Sequence, residues 1–411
     1  MSTSTSTPDS PSASNPLLNT YSRLPVAFVR GAGSWLFDAS GTRYLDALSG
    51  IAVCGLGHSH PAITEVIQQQ AATLLHTSNI YHIPAQERLA KELTSISGLS
   101  QCFFSNSGAE ANEAAIKLAR LYGHAKGIDN PQIIVMERAF HGRTLATLSA
   151  SGNRKIQAGF EPLVGGFVRA PFNDIESLEQ IAANSPDVVS VWVESVQGEG
   201  GIRIAEAGYL RKLRQLCDQH GWLLMLDEIQ SGNGRTGKYF AYQHEGIHPD
   251  IVTTAKGLGN GIPIAACLVN HQAATVIKPG QHGSTFGGNP FACSVAYQVV
   301  QTLFNERLIE RAAHLGTQLL DAFKTQLQGA DYVREIRGSG LMIGIELNEP
   351  CQGLTSLALA KHLLINVTQD NTIRLLPPLI FSDVEAEQLV NELCKLIKVY
   401  HGDDRSRVRN A

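Results

Sequence analysis

Four stretches of this sequence combine residue types and spacings that can do chemistry. The first is Ser105-Asn106-Ser107-Gly108-Ala109-Glu110-Ala111-Asn112-Glu113, which opens a helical pattern over 109–122. Ser107 is a natural N-cap, and the small residues beside it let an anion approach the free N–H groups of the first turn. That arrangement suits a phosphate, or it simply caps the helix. The second is Asp227, which ends the apolar run from Trp222 and precedes Glu228, Ile229 and Gln230. A carboxylate at the C-terminal edge of a buried strand sits where open α/β sheets bind ligands. The plainer alternative is an aspartate that caps the next turn. The third is Thr253-Thr254-Ala255-Lys256-Gly257-Leu258-Gly259, where Lys256 follows another apolar run with no carboxylate nearby in sequence. Such a lysine is either solvated at a strand end or poised as an amine nucleophile. The fourth is the glycine-rich loop from Gln281 to Pro290, whose hydroxyls Ser284 and Thr285 precede another helical pattern.

Two other patterns imitate sites. Gly232-Asn233-Gly234-Arg235-Thr236-Gly237 satisfies G-x-G-x-x-G and, with Lys238, nearly satisfies a P-loop. Position 239 is Tyr, so the magnesium-holding hydroxyl is missing, and four residues separate the strand from the first glycine. The strand–loop–helix context is absent, and a surface loop is expected. His58-Ser59-His60 lacks a third metal ligand at recognisable spacing and reads as a hydrogen-bonded turn before Pro61.

The elements that must position these residues follow from composition and periodicity. Of 411 residues, 43% are hydrophobic and 17% charged, which is ordinary globular composition. Lys plus Arg number 33 against 37 Asp plus Glu, a net charge of −4, which argues against a dedicated nucleic-acid or anionic-membrane binder. The seven cysteines are widely spaced without C-x-x-C, so a disulfide framework or zinc ribbon is not expected and a reducing cytosol fits. No apolar run reaches membrane-spanning length. Residues 1–16 have neither signal nor transit character and are expected to form a disordered tail.

Short β-like pieces run from 26 to 46, with a hairpin turn at Ala39-Ser40-Gly41-Thr42. Apolar runs at 133–136, 188–193, 222–227, 251–254 and 265–269 alternate with helical stretches at 109–122, 175–184 and 208–220. That rhythm predicts a mostly parallel sheet covered on both faces. One long helical pattern covers 289–327; then come strands near 332–347, a helix over 355–364, a strand at 372–376 and a last helix over 382–399. The expected fold class is α/β, with a large domain over 60–305. A small α+β domain is assembled from both chain ends, 17–59 and 306–411.

A phosphate cradle, a carboxylate for a pyridinium nitrogen and a Schiff-base lysine together form the set that pyridoxal phosphate requires. The strings SNSGAEANEAAIKLAR, FHGRTLATLS, ESVQGEGG, LDEIQSGNGRTGKYFAYQ, PDIVTTAKGLGNGIPIAA, HGSTFGGNPFAC, GLMIGIEL and IRLLPPL carry a resemblance over about 17–398. The sequence resembles the class III (ω-) aminotransferases of fold type I, most closely their acetylornithine branch. The resemblance implies a seven-stranded, mostly parallel sheet, pyridoxal 5'-phosphate as cofactor, and no metal. Lys256 would hold the cofactor and move the proton, and Asp227 would keep the ring nitrogen protonated. Gln230 would reach the ring's 3-oxygen, with Glu228 and Ile229 beside it, and Phe140 would stack on the ring. Ser107, Gly108 and the Ala109 N–H would hold the phosphate, joined by Thr285 of a partner subunit, which implies a homodimer. Arg143, helped by Ser284, would bind the distal carboxylate of the donor. Arg374 would bind the α-carboxylate of glutamate, with Glu199 as its exchangeable partner, and Ile51 would face the acylated end of the donor.

The implied reaction joins N2-acetylornithine and 2-oxoglutarate in arginine synthesis. Succinylated, free-ornithine and 4-aminobutyrate donors are the alternatives within the class, and an aminomutase is the alternative outside it. Ala109 stands where many relatives carry Thr, Ser195-Val196 replaces a common Pro-Ile, and Tyr81-His82-Ile83 departs from an Asn-Glu stretch. These departures lie near the substrate mouth and leave the acyl group open.

Overall fold

The computed structural model describes residues 16–402, so the expected tail lies outside the described residues apart from Pro16. The centre is a seven-stranded sheet. Its strands run in the order Gln101–Ser105, Ala265–Val269, Ile251–Thr254, Leu223–Asp227, Val188–Glu194, Gln132–Met136 and Phe167–Ala170. Six strands point the same way, and Ala265–Val269 runs antiparallel to both its neighbours. The apolar runs became strands because helices cover both faces. Every residue of Val188–Glu194, Leu223–Asp227 and Ile251–Thr254 is buried. Register places Asp227 beside Glu194 on one side and Thr253 on the other. The carboxyl ends of three strands therefore form one edge.

Both chain ends build the remaining sheets. Phe28–Ala32, Trp35–Asp38 and Arg43–Asp46 form an antiparallel meander, and Leu363–Leu364 from the far end of the chain adds a parallel fourth strand. The expected hairpin at 39–42 is present. Asp38 Oδ1 accepts from the Ser40 and Thr42 N–H groups, and Gly41 takes φ 85°. Val333–Ser339, Met342–Leu347, Thr372–Leu375 and Asn366–Thr368 form an antiparallel sheet. The last helix, Asp383–His401, opens with a Ser382/Glu385 capping box, and Glu385 also accepts from Trp35 Nε1 at 2.7 Å.

Three expectations are corrected. The pattern over 289–327 is two helices, Pro290–Asn305 and Leu308–Gln326, because the chain turns at Arg307 with φ 53°. The helix over 355–364 ends at Ala360, and Leu363–Leu364 is drawn into the sheet beside Arg43–Asp46. The loop over 232–237 is buried rather than on the surface. Arg235 donates to the Pro377 and Leu341 carbonyls, and Asn233 donates to Thr254 Oγ1 and the Ala255 carbonyl. Among the described residues no helix is long and apolar enough to cross a membrane, and no cluster is suited to a metal. His58 pairs with Asp46 instead.

Candidate active site

A cavity of about 450 Å³ opens at the carboxyl edge of the sheet. Its lining comes from sequence-distant places: Ser107, Gly108, Ala109, Phe140, Arg143, Glu199, Asp227, Ile229, Gln230 and Lys256. The family resemblance implies a role for each of these residues, and the fold brings them to one cavity.

At one end lies the start of the Gly108–Ala125 helix. Ser107 caps it in extended conformation, its Oγ accepting from the Glu110 N–H at 3.3 Å. The first N–H groups of a helix have no intrahelical acceptor, so the Gly108 and Ala109 amides are available to an anion at this wall. A Cβ at Gly108 would stand 2.7 Å from the Ile229 side chain, so glycine is required for this close packing.

Asp227 stands at the strand end, almost fully buried. Its Oδ2 accepts from Asn112 Nδ2 at 2.8 Å and faces His141 Nδ1 at 2.8 Å; its Oδ1 accepts from the Ile229 N–H at 3.1 Å. A carboxylate only accepts, so His141 must carry its proton on Nδ1. His141 is fixed in turn by stacking on Trp192, ring centroids 3.9 Å apart. Beside Asp227, Glu194 also lines the cavity, its oxygens accepting from the Phe140 and Gly198 N–H groups. Burial and the neighbouring Asp227 carboxylate push the Glu194 acid well above the usual range. Of the two carboxylates, Asp227 has more donors, from Asn112, His141 and the Ile229 N–H.

Lys256 follows the Ile251–Thr254 strand in a short 3₁₀ turn, at φ 46°. Its enclosure lowers the ammonium below the ordinary lysine value, against the pull of Glu199. The amine is thereby brought closer to the neutral, nucleophilic form.

Glu199 reaches the cavity from the loop after Val196–Gln197 and meets Arg374 at 2.6 Å. Arg374 is 1% exposed, and its Nη1 also lies 3.5 Å from Gln230 Oε1. Burial pushes the Glu199 carboxyl up, but Arg374 outweighs it and the group stays below the usual range. Arg143 stands exposed at the mouth, its guanidinium 5.7 Å from the Phe140 ring centroid. It has no hydrogen bond or ion pair of its own among the described residues. A free planar guanidinium there is suited to a carboxylate.

Several expected residues fall elsewhere. Glu228 is fully buried away from the cavity, its carboxylate occupied by Ser195, Ser231 and the N–H groups of Ala241 and Tyr242. It supports the loop that follows Asp227, because a buried carboxylate needs such partners. Ser284 touches the wall only through Asn106, whose Nδ2 lies 3.2 Å from its Oγ. Thr285 is exposed, in a loop outside the lining. Ile51 packs in a small apolar cluster behind the wall, where Val53 is the lining residue. Sequence reasoning passed over His141, Asn112, Glu194 and Val53. His141 adjoins Phe140 in the FHGRT string and was the nearest to a visible signal; the others reveal themselves only through long-range partners.

An α/β sheet whose strand ends hold an enclosed lysine, a buried carboxylate and an open helix N-terminus in one cavity defines a machine for amine–carbonyl chemistry assisted by a phosphorylated group. Comparison with known proteins makes this specific. The family model for class-III aminotransferases matches residues 18–397, and the chain belongs to that family. It is an enzyme, an aminotransferase. It is 57% identical over 381 residues to the acetylornithine aminotransferase of Nitrosomonas europaea, covering 93% of this chain and 97% of that protein. It is 46% identical to the acetylornithine aminotransferase of Methanocaldococcus jannaschii, over 92% and 94% of the two chains. Among solved structures, the ornithine aminotransferase of Toxoplasma gondii superposes with a TM-score of 0.91 at 32% identity, covering 94% of each chain.

Proposed function

We propose that this aminotransferase moves the side-chain amino group of N2-acetylornithine to 2-oxoglutarate, giving N-acetylglutamate 5-semialdehyde and glutamate for arginine synthesis. The observation that carries the reading is the 57% identity, along nearly the whole of both chains, to a relative bearing that name.

Pyridoxal 5'-phosphate fits the residues present. The open Gly108 and Ala109 amides beside Ser107 suit its phosphate. The partnered Asp227 carboxylate suits a protonated ring nitrogen, Phe140 offers a ring face, and Gln230 an amide for the 3-oxygen. When bound, the cofactor supplies an electron sink for the carbon that loses its proton. The rest falls to the chain itself. Lys256 would hold the cofactor, and its Nζ would carry a proton from one carbon to the other. Arg143 orients the donor's distal carboxylate. Glu199 neutralises Arg374 while the ω-amino donor is bound, and it swings away when glutamate brings an α-carboxylate.

We further infer a cytosolic homodimer, small-molecule substrates only, and no nucleic-acid or membrane partner. The cytosolic reading is supported by seven unpaired cysteines. Dimerisation is supported by an exposed apolar patch of Leu74, Leu75, Ile80, Tyr81 and Phe286 around the loop that carries Thr285. Asn79 joins the parts of this patch by donating to the Ser284 and Gly287 carbonyls. Thr285 from a partner would then complete the phosphate cradle.

Free ornithine is the second reading, favoured by the close superposition on ornithine aminotransferases. Ile51 opposes it, since that side chain offers no polar group to an unblocked amine. An amino-donor panel with 2-oxoglutarate as acceptor, read as turnover per active site, tests the proposal. N2-acetylornithine should lead ornithine by at least about tenfold in kcat/KM; parity or reversal rejects the reading.

A further inference from the structure

Between the Arg43–Asp46 strand and His58, four consecutive residues take left-handed backbone: Ser49 at φ 47°, Gly50 at 64°, Ile51 at 64° and Ala52 at 60°. Only Gly50 does so without a Cβ penalty, and a β-branched residue there is an outlier. Backbone of this kind persists only where its surroundings over-determine it.

The surroundings here converge on Asp46, which is 2% exposed. Its Oδ1 accepts from the Leu48 N–H at 3.0 Å and the Ser49 N–H at 2.8 Å. Its Oδ2 lies 2.8 Å from His58 Nε2. One carboxylate therefore grips the entry to the turn and the far end of the same segment. His58 is itself immobilised, because its backbone N–H and C=O both pair with Gly33. Its imidazole is raised to about 9 by the Asp46 hydrogen bond, with help from Cys54 and against burial, so at neutral pH the contact is charge-assisted. Ser49 Oγ adds a bond to the Leu376 carbonyl at 2.7 Å.

The turn leads directly into the site. Val53 lines the cavity. Ile51 and Ala52 pack with Val196 and Ile202, which flank Glu199 in sequence, and with Leu376, two residues beyond Arg374. Asp46 itself touches none of the lining.

We propose that Asp46 is a positioning residue for donor selectivity: gripping His58, it holds the left-handed turn over 49–52 so that Val53 stands as the apolar side of the donor site, with Ile51 packed behind it. The proposal rests on the acylated-donor reading above. Asp46→Asn keeps the size and one acceptor but loses the charge that His58 meets. It should raise the KM for N2-acetylornithine about tenfold, with kcat, the KM for 2-oxoglutarate and the bound-cofactor spectrum changed less than about twofold. Adding Ala52→Gly, which makes left-handed backbone intrinsically acceptable, should bring the donor KM back to within about threefold of the starting value. His58→Gln approaches the same grip from its other side and should give the same split; it decides the matter if Asp46→Asn loses cofactor or folds poorly. An unchanged donor KM, an equal loss for both substrates, or no recovery with Ala52→Gly overturns the proposal. If the unmodified enzyme shows no preference for the acylated donor, both readings fall. If it shows the preference and Asp46→Asn keeps it in full, this inference alone falls.

Discussion

The two sides of the cavity are built on opposite plans. On the sheet side, Asp227, Asn112, His141 and Trp192 are all buried and locked to one another by hydrogen bonds and stacking. On the mouth side, Glu199 is 34% exposed while its partner Arg374, from a different sheet, is 1% exposed. Yet the backbone beneath Glu199 is as firmly held as the sheet. Thr368 Oγ1 and Gln369 Nε2 both donate to the Glu199 carbonyl, and Arg337 donates to the Gly201 and Ile202 carbonyls. Only the carboxylate arm is at liberty. The contrast teaches where each task belongs. On the proposed function, chemistry common to both half-reactions would sit in a fixed, buried network of hydrogen bonds and stacking. On that proposal, the choice between substrates would be left to one rotatable side chain on a rigid loop.

The largest effect expected from this contrast is at Lys256. Lys256→Ala should lower kcat by on the order of 10⁴-fold, the upper range for a positioned proton carrier. The cofactor should stay bound through its phosphate but lose the visible absorbance of its lysine adduct. Undiminished turnover would break the assignment of the sheet side.

Asp227→Asn comes next. Removing the charge while keeping the shape should slow proton removal from the donor carbon by about 10²–10³-fold, the range seen for loss of one preorganised electrostatic group. Cofactor affinity should fall far less. Deuterium wash-out from the donor carbon in single turnovers separates the two effects. A collapse of affinity with an intact chemical step would make Asp227 an anchor rather than an electronic partner.

Glu199→Gln tests the mouth side and should act on one half-reaction only. With Arg374 left uncompensated, the ω-amino donor half-reaction should slow about tenfold, while the 2-oxoglutarate half-reaction keeps its rate or gains. The pH dependence has a definite sign. Arg374 holds the Glu199 carboxyl below its ordinary value of 4.5. The pair is therefore fully formed above that value and is lost as pH falls through the depressed one. Donor discrimination should be flat from neutrality down to about pH 5. Stopped-flow half-reactions across that range check both claims, and equal slowing of the two halves would remove the switch.

Legibility in the sequence followed the same divide. The sheet side was readable because each piece is local: an apolar run ending in Asp227, another ending before Lys256, a Ser-Gly helix start at 107–108. The strands Gln101–Ser105 and Phe167–Ala170 were missed because they are short and largely half-buried, with weak periodicity. The break at Arg307 lies where the helical periodicity resumes after only three polar residues, Asn305-Glu306-Arg307, and only the backbone reveals it. Glu228 shows the reverse error, since adjacency to Asp227 suggested the site while its carboxylate points into a separate buried network. The left-handed run over 49–52 could not be anticipated from Ser-Gly-Ile-Ala, because propensity opposes it and distant groups impose it.

The smallest expected effect concerns that same run. Ile51 cannot donate or accept, so a free α-ammonium brought beside it would be desolvated without a partner, a penalty of about 1–3 kcal/mol. An acetylated amine carries no charge and can lie against an apolar wall such as Val53 provides, with Ile51 packed behind it. Ile51→Tyr places a hydroxyl where an unblocked amine could use it, but the left-handed φ of 64° at this position is strained for tyrosine too. Full conversion to an ornithine enzyme is therefore not expected. The ratio of kcat/KM for N2-acetylornithine over ornithine should narrow about three- to tenfold, mostly through a lower KM for ornithine, as roughly 0.7–1.4 kcal/mol of recovered hydrogen bonding would give. Steady-state kinetics with both donors at fixed 2-oxoglutarate measures this ratio. If the hydroxyl leaves it unmoved while the donor site stays intact, selectivity resides at the Arg143 mouth, and the apolar turn is only a wall.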